Sequence, residues 1–148
     1  MNLELEIKLS TDFPAIYLSG EGLEGHGHNA THFHFECGDG WFALLYEFSS
    51  KIQKMIDEKK ITKFAAQQVK EKYAELRYYA SYEFKECERE GKEEEEAAID
   101  KEFRSYLTIA EEASGKTCET CGLPGVLRTD SGWYSTACDV HWKPRATK

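Results

Sequence analysis

The sequence predicts an α+β fold: a small antiparallel sheet, two amphipathic helices and a C-terminal zinc knuckle. Three observations lead to this prediction. Hydrophobic and polar side chains alternate in several short segments, as they do in half-buried strands. Hydrophobic side chains recur at helical spacing in two longer segments. Cysteine and histidine pairs near the C-terminus stand at the spacing of metal ligands.

The length and composition are those of one compact domain with a small appendage. The chain has 148 residues, of which 41% are hydrophobic and 13% aromatic. We therefore divide it into an α+β core domain over residues 1–115 and a zinc-binding module over residues 116–148 that packs on the core. No stretch approaches the roughly 18 apolar residues that a transmembrane helix needs, so no membrane partner is expected.

Short strands are predicted near the N-terminus. In LELEIKL (3–9) apolar and charged residues alternate with a period of two. Pro14 ends this run because it cannot donate to a strand ladder, and AIYL (15–18) is predicted as a second short strand. The glycine-rich residues 20–29 are typical of a loop. THFHFEC (31–37) alternates again and predicts a third strand.

Two amphipathic helices are predicted from hydrophobic stripes. The first spans residues 41–58, with Asp39 as its N-cap, because a carboxylate there can accept an N–H of the first turn. The second follows an acidic run that suits a helix N-terminus, and Ser114-Gly115 closes it. The stripes consist of Trp41, Leu44, Leu45, Phe48, Ile52, Met55 and Ile56 in the first helix, and of Ile99, Phe103, Tyr106, Leu107, Ala110 and Ala113 in the second.

The segment between these helices fits two patterns. Alternation from Leu76 to Phe84 favours a strand over residues 75–83, and the aromatic side chains agree with that choice. An approximately helical stripe also runs through Phe64, Val69 and Tyr73. Within residues 62–74 we therefore keep both a short helix and a short strand, around 65–72, as alternatives.

Four residues near the C-terminus predict one structural zinc ion. Cys118 and Cys121 form C-x2-C, and after sixteen intervening residues Cys138 and His141 form C-x2-H. Zinc prefers four tetrahedral nitrogen and sulfur ligands, and a site whose four ligands all come from the protein has no position open for catalysis. Between the two pairs, Val126-Leu127-Arg128 and Trp133-Tyr134-Ser135 flank Asp130-Ser131-Gly132, which predicts a hairpin.

Cysteine use and the absence of catalytic motifs bound the function. The cysteine count is odd, and the chain opens without a basic segment followed by an apolar one, so we expect free thiols in a reducing cytoplasm. Cys37 and Cys87 are isolated and have no evident base. The chain contains no nucleophile elbow, phosphate-binding loop or zinc-protease motif. We therefore expect a protein that is not an enzyme.

The charge distribution favours a protein partner. The net charge is −8, and residues 83–102 hold ten acidic and four basic residues. Nucleic-acid affinity depends largely on Lys and Arg, so the zinc module is not expected to be a DNA-binding finger. We expect binding by protein–protein contact, in which an acidic face meets a basic surface of the partner. The acidic face is centred on Glu93, Glu94, Glu95 and Glu96.

Two further groups of side chains suggest alternatives. Lys70, Lys72 and Arg77 interleave with Tyr73, Tyr78 and Tyr79, which is typical of a surface that stacks bases and pairs phosphates; it is also typical of a sheet surface with ion pairs. This segment, 70–79, predicts a nucleic-acid-binding accessory protein as the second hypothesis. The histidines His26, His28, His32 and His34 allow a second metal site, although exposed polar residues of a strand explain them better.

Three segments together resemble a known family. FECGDGWFALL, QVKEKYAELRYY and AEEASGKTCETCGLPGVLR…GWYSTACDVHW are similar, in this order, to segments of a widespread family of small phage and prophage proteins. The resemblance spans residues 35–141. It departs at Ala74, where the family has a glycine that suits a tight turn, and the alanine argues against a hairpin there.

The resemblance implies a phage protein that acts in a bacterial cytoplasm. The closed zinc site and the acidic surface predict that its partner is a host or phage protein. A sharper form of the hypothesis is an inhibitor of a host factor, including a defence factor. The residues that the resemblance implicates are Gly38, Asp39, Gly40, Trp41, Lys70, Glu71, Lys72, Leu76, Arg77 and Tyr79, together with the four zinc ligands.

Overall fold

A computed structural model describes residues 1–18, 32–84, 92–129 and 132–142. The described elements are α1 (Leu3–Asp12), α2 (Pro14–Tyr17), a 3-10 turn (Asp39–Trp41), α3 (Phe42–Asp57), β1 (Ile61–Lys72), β2 (Glu75–Phe84), α4 (Lys92–Ser114), β3 (Val126–Arg128) and β4 (Ser135–Ala137). The antiparallel pairs β1–β2 and β3–β4 form two small sheets. The α+β fold class with two long amphipathic helices is therefore confirmed.

The long hairpin β1–β2 is the central element. Its register pairs Lys72 with Glu75 next to the turn and Ile61 with Phe84 at the far end, so the strand alternative for residues 65–72 is correct. Tyr73 and Ala74 form the turn with φ of 56° and 68°. A two-residue turn that matches the strand twist needs positive φ at both positions. Our expectation that Ala74 argues against a hairpin was therefore wrong.

Helices α3 and α4 cover one face of this hairpin and form the core with it. Phe48 of α3 packs edge-on against Tyr78, with ring centroids 4.8 Å apart. Phe103 of α4 lies 4.7 Å from the ring of Tyr82 and 5.9 Å from that of Phe64. Aromatic pairs of this geometry add about 0.5–1.5 kcal/mol each beyond area burial. The two predicted hydrophobic stripes thus converge on one aromatic layer.

The N-terminal segment is helical, and the strands predicted at 3–9 and 15–18 were wrong. In α1 the buried residues are Glu6, Leu9 and Ser10, at helical spacing, whereas Leu3 and Ile7 are exposed. The alternation in the sequence therefore does not mark the buried face. Glu6 is buried because its carboxylate accepts the N–H of Phe35 at 3.0 Å, a contact that only the folded chain provides.

The strand predicted at 31–37 does not form a ladder. The described part of this segment is extended, and Glu36 makes one isolated parallel bridge with Lys70. Phe33 and Phe35 are buried as the alternation predicted, but their N–H groups donate to side chains of α1, Ser10 Oγ at 2.9 Å and Glu6. The loop predicted at 20–29 lies outside the described residues.

Asp39 does not cap the helix that follows it. Its carboxylate accepts the backbone N–H of Asn2 at 2.6 Å and the side-chain amide of Asn2 at 2.7 Å. Asn2 is in turn the N-cap of α1 and accepts the N–H of Leu5 at 3.1 Å. Asp39 thus fixes the start of the first helix against the start of α3.

The predicted C-terminal hairpin is present. Val126–Arg128 forms β3 as expected, but β4 is Ser135–Ala137, two residues later than the predicted Trp133-Tyr134-Ser135. Of the predicted turn, Asp130 and Ser131 lie outside the described residues, and Gly132 has φ of 72°. In the described part of the chain no helix is both long enough and apolar enough to cross a bilayer.

Candidate metal centre and its surroundings

The four predicted metal ligands converge on one point. Cys121 Sγ lies 3.8 Å from Cys138 Sγ, and His141 Nδ1 lies 3.8 Å from Cys118 Sγ and 3.3 Å from Cys138 Sγ. All four ligand atoms are within 4.8 Å of one another. A tetrahedral ion with metal–sulfur bonds of about 2.3 Å places sulfurs about 3.8 Å apart. The donor set and its spacing therefore fit one four-coordinate ion.

Backbone hydrogen bonds hold the first pair of ligands in a tight loop. Cys118 donates its N–H to the carbonyl oxygen of Leu123 at 2.8 Å, and Gly122 donates to that of Cys118 at 2.8 Å. Gly122 has φ of 76°, a conformation that glycine adopts without steric cost. A backbone hydrogen bond also holds the second pair: the N–H of His141 donates to the carbonyl oxygen of Cys138 at 3.2 Å.

The environment of Cys118 favours its thiolate. Burial alone would raise the pKa of this thiol. The backbone N–H groups of Cys138, Cys121 and Thr120 have the larger, opposite effect, and the pKa falls from 9.0 to about 6. Donors that point at a sulfur stabilise its negative charge. Because the thiolate is the form that binds metal, the knuckle prepares Cys118 for an ion near neutral pH.

The GDG segment before α3 docks directly on this knuckle. Gly40 donates its N–H to the carbonyl oxygen of Glu119 at 2.8 Å, and Gly38 donates to the Glu119 carboxylate at 2.8 Å. A Cβ at Gly40 would lie 2.1 Å from the carbonyl oxygen of Cys118, and one at Gly38 would lie 2.3 Å from that of Glu119. Both glycines are therefore required for close approach of two backbones.

Two more hydrogen bonds join the metal-binding module to the core. The buried indole of Trp41 donates to the carbonyl oxygen of Thr117 at 3.0 Å. The hydroxyl of Thr136 donates to the carbonyl oxygen of Ala74, in the turn of the long hairpin, at 2.7 Å. The sequence indicated that the GDGW segment matters, but it did not predict that the segment docks on the metal-binding module. Two glycines that flank one residue before a helix are the only sequence signal of this docking.

Glu119, between the paired cysteines, is held by burial and by the core. Burial raises the pKa of this carboxyl group, the N–H of Gly38 lowers it, and the nearby carboxylate of Glu71 raises it again. The resulting pKa lies above the ordinary value. Glu119 thus acts as a hydrogen-bond acceptor for the docking segment, and it does not belong to the four-ligand group.

The structure brings the predicted basic residues to one face of the long hairpin. Lys70 and Arg77 are register partners, and Lys72 lies two residues further along the same strand. Arg77 is paired with Glu75, at 3.1 Å. Lys70 Nζ lies 5.5 Å from the ring centre of Tyr79. Tyr78 is buried in the core, so its inclusion in a surface that stacks bases was wrong.

The four predicted acidic residues begin α4. Glu93, Glu94 and Glu95 are exposed in its first turn, and Glu96 forms an ion pair with Lys92 at 3.5 Å. α4 is 23 residues long, so this acidic turn lies roughly 30 Å from the metal-binding end of the helix at about 1.5 Å per residue. The acidic surface and the metal centre are therefore separate features.

The remaining candidates from the sequence are the four clustered histidines and the isolated cysteines Cys37 and Cys87. His32 and His34 face the carboxylate of Glu6, at 3.5 Å and 3.0 Å, whereas His26 and His28 lie outside the described residues. Within the described ranges, the three cysteines and His141 are the sole group placed to hold a metal ion. Cys37 is buried, and burial raises the pKa of its thiol to about 12. Cys87 lies outside the described residues.

The fold and the site define an α+β protein with a Cys3His group that can hold one metal ion at its C-terminal end. Comparisons of the chain with protein-family models, with curated proteins and with solved structures find no match. The resemblance to phage proteins therefore stays a prediction, and function has to be argued from the geometry.

Proposed function

We propose that this chain is a zinc-stabilised binding protein that acts by protein–protein contact. The single observation that carries the proposal is the combination of a closed ligand set with exposed apolar side chains on the same module. Zinc is the ion that best suits three thiolates and one imidazole. Its role is structural, because four protein ligands leave no position for a reacting molecule.

Several apolar side chains of the metal-binding module are exposed to solvent. Leu123, Val126, Leu127 and Val140 are exposed, and Val140 is 82% accessible. Apolar side chains that stay exposed on a folded protein serve as a protein-binding site where a partner covers them. The metal supplies the rigidity that such a small two-stranded module lacks by itself.

A finer form of the proposal concerns the acidic turn of α4. Glu93, Glu94 and Glu95 form a negative surface on a chain of net charge −8, and such a surface complements a basic patch on a partner. The resemblance supports a phage protein acting in the bacterial cytoplasm, and the acidic surface supports a host factor, including a defence factor, as its target. Inhibition would follow if the basic patch normally holds nucleic acid.

A tagged pull-down from nuclease-treated bacterial lysate, read by mass spectrometry, tests this proposal. We expect one stoichiometric protein that survives the nuclease. Its capture should fall with the double reversal Glu94→Lys, Glu95→Lys. The matched control is Glu4→Lys, Glu112→Lys, which changes the net charge equally at exposed positions elsewhere. Equal loss in both variants, or in neither, contradicts the acidic-surface form of the proposal.

Nucleic-acid binding is the second candidate, and one arrangement favours it. Lys70 and Lys72 each place an ammonium over an exposed tyrosine ring, that of Tyr79 and that of Tyr73. Adjacent cations and open aromatic faces suit a single strand. Oligonucleotide affinity should then fall steeply with salt. It should also be lost when Lys70, Lys72 and Arg77 are replaced by alanine.

A further inference from the structure

A cleft of about 400 Å³ lies where the turn of the long hairpin meets the loop before β4. Neither element closes it alone: the turn supplies one wall and the metal-binding module the other. Among the described residues, those that line the cleft are Glu71, Lys72, Tyr73, Gly132, Trp133 and Tyr134. Its volume is within the range of roughly 300–1,000 Å³ that is usual for small-molecule sites.

Three aromatic rings line this cleft and are open to solvent. Trp133 is 65% exposed, Tyr73 64% and Tyr134 48%. The rings of Tyr73 and Tyr134 stand edge to face, with centroids 6.2 Å apart, which braces the two walls against each other. Isolated exposed aromatic residues are ordinary, but three that converge on one concave site provide flat faces for a planar ligand.

A cation lies beside these rings. Lys72 Nζ is 4.8 Å from the ring centre of Tyr73, and it takes part in none of the ion pairs found within the described ranges. The carboxylate of Glu71 instead accepts the N–H of Ala74 at 2.6 Å and so supports the turn. The cleft thus combines open π faces with one ammonium group that is available to an anion.

The backbone of the turn carries strain at the aromatic wall. Tyr73 has φ of 56°, and a bulky residue in this region is uncommon. Asparagine or glycine would adopt the same turn at lower cost. A large exposed ring at a strained position points to a use for that ring, because such strain is concentrated at functional sites.

We propose that this cleft binds a nucleotide unit, with the nucleobase stacked on Trp133 and a phosphate paired with Lys72. The unit is either a free nucleotide or one residue of a single strand, since both present the same base and phosphate. The inference does not rest on the protein-binding proposal; it narrows the nucleic-acid alternative to one site.

The first experiment titrates the zinc-loaded protein with a mononucleotide and with a short oligothymidine, using tryptophan fluorescence and calorimetry. We expect saturable quenching of tryptophan fluorescence that Trp142→Phe retains and Trp133→Phe loses, because Trp41 is fully buried and Trp142 is not among the residues that line the cleft. Trp133→Ala should weaken the affinity about 5-fold to 150-fold, the range for losing one base–aromatic stack. Trp133→Phe should restore most of it. Binding unchanged in Trp133→Ala, or absent for every ligand, would overturn the proposal.

The second experiment tests the phosphate contact. Lys72→Gln should weaken nucleotide binding while Lys116→Gln, the same charge change at an exposed position outside the cleft, should not. Tyr73→Asn keeps the turn conformation and removes one wall, so it should weaken binding in a protein that still folds and retains zinc. Equal affinity for a nucleoside and its nucleotide would overturn the assignment of Lys72.

The two sources of the ligand give different results, each supporting the site. Equal affinity for the mononucleotide and the oligothymidine identifies a free nucleotide as ligand. Binding of the oligothymidine alone, with a steep salt dependence, identifies a single strand. These titrations contain no other protein, so a negative result contradicts the nucleotide site and not the protein-binding proposal. A negative pull-down contradicts the protein-binding proposal and not the nucleotide site.

Discussion

The N–H of Gly40 donates to the carbonyl oxygen of Glu119 at 2.8 Å, and this bond joins the start of α3 to the middle of the metal-binding knuckle. The two residues are 79 positions apart in the chain. The contact gives the segment before α3 a structural role in this chain, which is to dock on the loop between Cys118 and Cys121.

Gly40→Ala should destabilise the zinc-loaded protein by about 1–3 kcal/mol or more, because a Cβ would lie 2.1 Å from the carbonyl oxygen of Cys118. Urea unfolding measures the change. Gly115→Ala is the matched control, since the nearest atom to its Cβ would be 3.7 Å away. Equal effects of the two substitutions would show that the close contact at Gly40 is unimportant.

Cys138→Ala should abolish stoichiometric zinc binding and lower the melting temperature, because metal binding by such modules is coupled to their folding. Metal analysis and thermal unfolding measure the two effects. Cys37→Ala is the comparison: it removes a buried thiol from the core but should retain one zinc ion per chain. A fully folded, metal-free Cys138→Ala protein would contradict a structural role.

Cys37 should resist alkylation in the folded protein at pH 8.5–9.5 and react in denaturant. Burial raises the pKa of its thiol from 9.0 to about 12. Because a raised thiol pKa favours the protonated form, its contribution to stability is complete below pH 9 and is lost as the pH rises from 9 to 12. Mass spectrometry after timed iodoacetamide treatment gives the rate. Rapid native labelling would argue against this burial.

Glu6→Ala should destabilise the protein by about 1–3 kcal/mol, since it leaves the buried N–H of Phe35 without its acceptor. The His34 ring, 3.0 Å from the same carboxylate, would also lose its partner there. Glu4→Ala on the exposed side of α1 is the control and should change the unfolding free energy little. The prediction fails if denaturant unfolding gives both variants the same stability.

Ser114→Ala should cost about 1–3 kcal/mol, because the Ser114 hydroxyl accepts the buried N–H of Leu76 at 2.8 Å and fixes the end of α4 to β2. Ser105 lies on the exposed side of the same helix, and its hydroxyl donates to the carbonyl oxygen of Glu102 within that helix. Ser105→Ala should therefore be nearly neutral. Chemical unfolding compares the pair, and a neutral Ser114→Ala would show that another group satisfies Leu76.

The sequence by itself determined the features that depend on local spacing. The group of Cys118, Cys121, Cys138 and His141, which can hold a metal ion, was predicted because each half-site is a short loop whose geometry follows from its spacing. The two long helices were identified because a stripe of hydrophobic residues over many turns has one period. Strand alternation also identified β2 correctly, since its hydrophobic face is the buried one.

Only the tertiary structure decided which face of the N-terminal segment is buried. LELEIKL alternates, but its buried carboxylate at Glu6 is stabilised by the backbone N–H of Phe35 from a distant segment, and no local pattern encodes that donor. Asp39 was predicted to cap the helix that follows it, because the sequence does not show its distant partner. In the structure its carboxylate accepts the N–H of Asn2. Spacing along the chain specifies local geometry; the partner of a buried polar group is specified by segments that meet only on folding.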